Sequence, residues 1–413
     1  MLQKYPYLPL VILGLASAAC LALGAWLGQW IIGLGGAAAG LCLMALVEPM
    51  RRHLGLGGNE EEKFVNVVEL TPAPRRAPPP SRPLPEPAAD CSDGTAVEQM
   101  LAQGRYALLL RPQIASTLSL ADVRMAQEAL DVWMGIVPQG PVMMRCQRYD
   151  ELEEDDKDRV ERRIEVDGFY LDRYCVTNRQ YKRFLDSGGY EQLALWDEAI
   201  WPAMLQFVDQ TGAPGPRFWH NGTYESSKED HPVVGICWYE ATAYARWVGK
   251  RLPSDPEWVK AASWPVVAEN GKLLQRKFPW GDAMDRSIVN LWGCGPGDTI
   301  PVSCHPQSAC LGGPYQLIGN VWEWTSTNFG VWEPSTLRLE SEMPLKSLRG
   351  GAFDTYFDTQ ATSFFQSGDN PLVRRHNIGF RCAVGVCDIY SADELAADGE
   401  GGEASTKHEE AVL

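Results

Sequence analysis

Side chains that could hold a redox metal or act as nucleophiles are the first thing to weigh in this sequence. Eleven cysteines (Cys20, Cys42, Cys91, Cys146, Cys175, Cys237, Cys294, Cys304, Cys310, Cys382, Cys387) and six histidines (His53, His220, His231, His305, His376, His408) are present. Thiolates and imidazoles of this kind hold zinc or copper when their spacing brings them together. Here the spacing does not. There is no CxxC pair, Cys304/Cys310 and Cys382/Cys387 lack a zinc-finger partner, and no HxxxH occurs. Reduced, mostly buried thiols are the expectation, with one or two disulfides left open for an oxidising compartment. The run Asp150 to Asp158 carries seven acids and one Lys without calcium-loop spacing, so it reads as a solvated loop.

The chain has 413 residues, of which 45% are apolar, 22% charged and 10% aromatic, so most of it can bury a core. A net charge of −16 disfavours a phosphate-backbone footprint, and nucleic acid is not an expected partner. Fifteen tryptophans point to packed aromatic loops or a ligand surface.

No charged residue occurs between Lys4 and Glu48. A bilayer core of ~30 Å needs ~20 apolar residues per helical span. Leu8 to Leu27 and Ile31 to Val47 therefore predict a two-helix transmembrane hairpin within residues 1–50, turning at Gly28-Gln29-Trp30, with small residues that allow close helix approach. A cleaved signal peptide is the competing reading. Lys4, Arg51 and Arg52 place both ends on the cytoplasmic face of a bacterial-type inner membrane, the periplasmic face being the alternative.

Residues 51–92 form a linker with eight prolines between 72 and 87. Within it, KFVNVVEL (63–70) reads as a lone strand or docking segment. Residues 93–132 read as a short helical lead-in, with Ser119 capping its second helix. A main domain follows over 133–387, then an acidic tail over 388–413 that is expected to be disordered. Inside the main domain, Ile164 to Tyr170 predicts a strand. Thr177-Asn178-Arg179-Gln180 and Ser254-Asp255-Pro256-Glu257 predict capping boxes, and Trp238 to Val248 predicts a helix stopped by Gly249. The class is α+β, without a parallel βαβ sheet.

The order Phe169-Tyr170-Leu171-Asp172-Arg173, His231-Pro232-Val233-Val234, Trp238-Tyr239-Glu240-Ala241, Gly249-Lys250-Arg251-Leu252-Pro253, Phe278-Pro279-Trp280-Gly281, Gly319-Asn320-Val321-Trp322-Glu323-Trp324, Arg349-Gly350-Gly351 and Gly379-Phe380-Arg381-Cys382 resembles the formylglycine-generating enzyme (sulfatase-modifying factor) family. The resemblance implies a C-type-lectin-like variant with little regular secondary structure. It also implies that oxidase members bind copper through two cysteines after Arg-Gly-Gly, at positions occupied here by Thr355 and Gln360. Neither can ligate Cu(I), so no copper is expected. The family's iron-dependent branch uses three histidines from an added bundle, for which this lead-in is too short, so no iron is expected either. His231 is expected to be a hydrogen-bonded structural imidazole.

By the same resemblance, structural calcium would be held at two sets: Gln316, Gly319, Val321 and Glu323, and Asn290, Leu291, Asp298 and Ile300. A buried carboxylate satisfied by backbone N–H groups is the other reading of Glu323. Three functions stay open. The leading one is a non-catalytic, membrane-anchored binding or assembly module, an accessory subunit that meets other membrane-complex subunits. The second is a metal- and oxygen-dependent oxidase with displaced ligands drawn from Cys294, Cys304 or Cys310. The third is a ligand-display protein presenting Phe353 to Asn377, in which Phe353, Asp354, Tyr356, Asp358, Arg374 and His376 form the binding surface.

Overall fold

The computed structural model describes residues 95–145, 161–332, 343–390 and 392. The expected membrane spans, the proline linker, the acidic run and residues 393–413 lie outside them. Among the described residues no helix is long and apolar enough to cross a membrane.

Four helices open the described chain: α1 (Ala96–Ala102), α2 (Tyr106–Leu109), α3 (Pro112–Ala115) and α4 (Leu120–Trp133). Thr95 and Glu98 form a capping box on α1, and the Ser119 hydroxyl accepts the Asp122 N–H at the start of α4. Val123, Ala126 and Leu130 recur at helical spacing on α4 and are fully buried with Leu109, Leu110 and Val384. The lead-in thus shares a core with the closing segment of the main domain.

Strands β1 (Met134–Val137), β2 (Gly140–Met144), β3 (Arg162–Val166) and β4 (Phe169–Asp172) follow. The single strand expected at 164–170 is two. β3 pairs with β2 (Gly140 opposite Val166), whereas β4 pairs with β1 (Met134 opposite Asp172), so the chain changes sheet at Asp167-Gly168. Next come α5 (Asn178–Asp186), α6 (Trp201–Met204), α7 (Trp238–Trp247) and α8 (Asp255–Ser263). Both expected capping boxes are formed, by Thr177 with Gln180 and by Ser254 with Glu257. Gly249 follows α7 with a φ of 78°.

A minor hairpin joins β5 (Val266–Val267) to β6 (Leu273–Leu274). A second sheet is then built from β7 (Trp322–Asn328), β8 (Lys346–Arg349), β9 (Ser367–Asp369) and β10 (Ile378–Gly379), in the order β10-β7-β8-β9. β11 (Ala383–Gly385) returns to pair with β4. Long loops carry the rest. Two of them press together where the Gly319 N–H donates to the Gly350 carbonyl at 3.0 Å. A Cβ on Gly350 would meet the Leu317 carbonyl at 2.5 Å, and one on Gly319 the Asn290 carbonyl at 2.8 Å, so both motifs need glycine for close approach. The acidic tail begins later than expected. The Tyr390 N–H donates to the Leu110 carbonyl at 2.7 Å, and Ile389 and Tyr390 pack on the lead-in core.

Two aromatic cores flank the loops. Around α5 and α7, Tyr181 stacks on Tyr244 at 5.5 Å, with Phe184, Trp247 and Phe380 about them. Around α8, Trp258 and Leu317 are fully buried. The first residue of α8 is Asp255, which is buried and bound by Arg349 at 2.7 Å, Thr325 at 2.7 Å, Ser347 at 2.8 Å and Gln366 at 2.6 Å. Burial opposes its ionisation, but Arg349 and these donors hold its carboxyl below the usual range. Asp255→Ala leaves Arg349 charged and buried, and is expected to cost about 3–5 kcal/mol of stability. The exposed Arg246–Asp197 pair is the control: Asp197→Ala is expected to cost no more than about 1 kcal/mol. Thermal unfolding of the two variants checks the contrast, and equal losses would contradict it.

Candidate functional site

The turn after Arg349-Gly350-Gly351 is the first candidate. Thr355 is buried, and its Oγ1 accepts the Ala352 N–H at 2.8 Å while its own N–H donates to the Ala352 carbonyl at 2.9 Å. The side chain closes a tight turn and offers a hydroxyl where the resemblance places a thiolate. Gln360 lies partly exposed at the end of a single helical turn over Asp358–Gln360.

Beyond this turn the chain exposes aromatic rings. Trp292 is 44%, Tyr356 52% and Phe357 59% exposed. Tyr356 sits 6.5 Å from Trp292 and edge-on to Phe357 at 5.0 Å. With Arg286, Asp358 and Thr359 they line an open concavity of about 330 Å³, and Arg286 bridges to Asp358 at 3.1 Å. Of the six residues expected to form a binding surface, Tyr356 and Asp358 belong to this concavity. His376 is exposed 3.6 Å from Asp354, which also accepts both contacts from the Asn377 amide at 3.0 and 3.1 Å. Phe353 is buried and packs on His376.

Arg374 requires a correction. Its side chain is 8% exposed, pairs with the buried Glu240 at 2.8 Å and donates to the Val208 carbonyl at 2.9 Å, so its charge is committed to bracing α7. Trp292, Phe357 and Arg286 were not singled out by sequence. Trp292 directly follows Asn290-Leu291, and the oxygen-ligand reading of that stretch hid the aromatic role.

The calcium sets fit the ion unequally. Glu323 accepts from Arg381 at 2.7 and 2.8 Å, from the Trp258 indole at 2.9 Å and from the Cys175 thiol at 3.3 Å, so both its oxygens are occupied. The expectation that Glu323 faces calcium is corrected on this ground: the alternative of a satisfied buried carboxylate holds, with Arg381 and Trp258 as donors in place of backbone N–H groups. Gln316 spends its oxygen on the Asn320 amide at 2.7 Å, and the Gly319 carbonyl accepts the Val321 N–H. In the other set, Asn290 Oδ1 is buried without a hydrogen-bond partner, which suits a cation ligand.

Asp298 accepts from Lys228 at 2.7 Å and from the Thr299 N–H at 2.7 Å. Burial opposes its ionisation, but these donors hold its carboxyl below the usual carboxylate range, and calcium would have to displace the ammonium. The Ile300 carbonyl accepts the Asn320 amide and the Leu291 carbonyl the Cys294 N–H. His231 Nδ1 lies 2.9 Å from the Thr299 hydroxyl.

Among the described residues no three His, Cys, Asp or Glu side chains are grouped for a metal ion. Burial pushes the thiols of Cys304 and Cys310 up to about 11. Both are then neutral at pH 8, and the stability this adds is complete below the ordinary thiol value of 9.0 and is lost as pH climbs through about 11. Iodoacetamide labelling mapped by mass spectrometry is expected to leave Cys304 and Cys310 largely unmodified at pH 8 while the exposed Cys387 reacts. Rapid labelling of either buried thiol at that pH would contradict the assignment.

The sulfatase-modifying factor enzyme 1-like domain model matches residues 124–386, starting inside α4 rather than after it. Hercynine oxygenase of Mycolicibacterium smegmatis is 30% identical over 268 residues, covering 61% of this chain and 61% of that protein. Serine/threonine-protein kinase Pkn1 of Chlamydia trachomatis is 35% identical over 232 residues, covering 54% of this chain and 34% of that protein. The formylglycine-generating enzyme of Mus musculus is 30% identical over 261 residues, covering 54% and 68% respectively. The chain thus spans about six tenths of the hercynine oxygenase it matches and about a third of the kinase. With the family model covering well over half of its length, and a described architecture of short strands, capped helices and long loops to match, the chain belongs to the sulfatase-modifying factor enzyme 1-like family.

Proposed function

We propose that the chain is a non-catalytic binding module, tethered through residues 8–47 to a bacterial-type inner membrane and acting as an accessory subunit toward other membrane-complex subunits. One observation carries this reading. Thr355 closes its turn with a hydroxyl, and the residues beside it, Tyr356 and Phe357, stand exposed with Trp292 around a polar-rimmed concavity. Aromatic anchors beside an Arg–Asp pair suit a protein or peptide surface, because large rigid rings supply contact area at little entropic cost. Calcium enters this reading only at the Asn290 set, as a structural ion with Asn290 Oδ1 as its ready ligand.

A second reading is favoured by the relatives, which are named an oxygenase and a formylglycine-generating enzyme. In it the chain is a metal- and oxygen-dependent oxidase whose ligands have moved. The neutral thiols of Cys304 and Cys310 would then have to ionise on binding the metal, since the thiolate is the ligand.

Purification of the full chain in mild detergent separates the two. The binding module predicts a co-purifying protein whose affinity falls about ten- to thirtyfold in Trp292→Ala or Tyr356→Ala. An unaltered chain that remains a monomer without a partner would refute the assembly role. Stoichiometric copper or iron with oxygen uptake, both abolished in Cys304→Ser or Cys310→Ser, would establish the oxidase instead.

A further inference from the structure

A cavity of about 310 Å³ lies where the helical lead-in meets the main domain. It is a different place from the aromatic concavity and uses none of its residues. Met125, Ala129 and Trp133 of α4 form one wall. Its floor is a buried polar group: Lys250 Nζ donates to Asp172 Oδ1 at 2.6 Å and to the Tyr106 hydroxyl at 2.7 Å. Lys250 is 8% and Tyr106 4% exposed.

The donor count at this floor does not close. An ammonium carries three N–H groups and a phenol one O–H. Two of the ammonium's donors are used, and among the described residues neither its third N–H nor the Tyr106 O–H has an acceptor. Asp172 is already engaged elsewhere, because its Oδ2 accepts the Cys382 N–H at 2.9 Å. A buried donor without an acceptor costs about 1–3 kcal/mol, so two donors lining one cavity imply that something supplies an oxygen there.

The charge around the cavity decides what kind of oxygen. Lys250 is balanced by Asp172. Arg179, which also lines the cavity, is held by Asp230 at 2.7 Å and Glu229 at 3.0 Å. Arg183 and Glu128 also line the space with opposite sign. With no net charge to attract an anion, a carboxylate would meet Asp172 without compensation, whereas a carbonyl would accept both donors at no electrostatic cost. The volume is about twice the ~150 Å³ that accommodates a benzene ring, which suits a body of about two rings.

We propose that this cavity binds a neutral, mostly apolar molecule of about two rings whose carbonyl oxygen accepts from Lys250 and Tyr106. The site is independent of the function proposed above and stands whether or not the chain is catalytic.

Benzophenone, a neutral two-ring ketone that is itself a photolabel, tests it on the full chain in mild detergent. The expected result is labelling of the Met125–Trp133 peptide that saturates and is competed by 2-acetonaphthalene. Tyr106→Phe, which removes one oxygen and keeps the ring, is expected to raise the half-saturating concentration about three- to tenfold. Ala129→Trp, which fills the cavity, is expected to abolish the saturable fraction, with thermal melting of each variant confirming a folded chain. Labelling that never saturates, or that is unchanged in Ala129→Trp, would overturn the site. An unchanged half-saturation in Tyr106→Phe would overturn the donor assignment. The anionic 4-benzoylbenzoate is expected to bind more weakly than benzophenone, and equal or tighter binding would overturn the neutral-ligand claim.

Discussion

The buried pair between Arg381 and Glu323 is the constraint on which the loops of this domain depend. Arg381 is fully buried and spreads its donors over three segments: Glu323 on β7, the carbonyls of Asp172 at 3.0 Å and Arg173 at 3.3 Å at the end of β4, and the Tyr315 carbonyl at 2.8 Å before the Gly-Asn-Val turn. A planar guanidinium with five donors can satisfy such a set, and an ammonium with three cannot. Removing either partner would leave a charge with no water to turn to, and so the segments it joins keep their positions together. In a domain with so few strand hydrogen bonds, this pair does work that a sheet ladder does elsewhere.

The same device recurs. Asp255 with Arg349 ties α8 to β8, Glu240 with Arg374 ties α7 to the segment before β10, and Asp172 with Lys250 ties β4 to the end of α7. Six of the eight partners sit in ordered stretches that stood out in the sequence: Trp-Glu-Trp, Gly-Phe-Arg, Arg-Gly-Gly, Tyr-Glu-Ala, Gly-Lys-Arg and Leu-Asp-Arg. The ordered motifs therefore report the chemistry of a scaffold. That is why they identify a family so well and an activity so poorly: a buried ion pair is demanded by the fold whatever the surface beside it does.

What could be read in advance follows from this division. Helix ends were legible because caps are local, three residues apart: Thr177 and Ser254 form capping boxes and Ser119 a simple N-cap, as spacing requires. The strand at 164–170 was misjudged because sheet membership is set by distant partners: β2 claims one half and β1 and β11 the other. The resemblance suggested Glu323 as a calcium ligand with a buried carboxylate as the other reading, and the ligand-display reading included Arg374; only the fold reveals that each faces an opposite charge. Trp292 and Phe357 escaped notice for the converse reason. A Trp-rich sequence is compatible with both a packed loop and a ligand surface, and nothing in one dimension tells an exposed ring from a buried one.

Thr355 stands where the resemblance places a thiolate, and its hydroxyl shapes the surrounding turn. A thiolate that binds metal must point out of its turn, toward a second donor and the substrate. The Thr355 hydroxyl points back to the Ala352 N–H and makes the turn self-sufficient. A turn closed by its own side chain in this way is constrained by closure. The neighbouring positions can then carry large exposed rings without shielding a reaction centre. Tyr356 and Phe357 occupy those positions, and Arg286 and Asp358 rim them with a paired charge that keeps the rings wettable when nothing covers them. The hydroxyl-closed turn and the exposed rings beside it are therefore compatible in one loop: the turn is held by its own hydrogen bonds, and its outer side chains are left facing solvent.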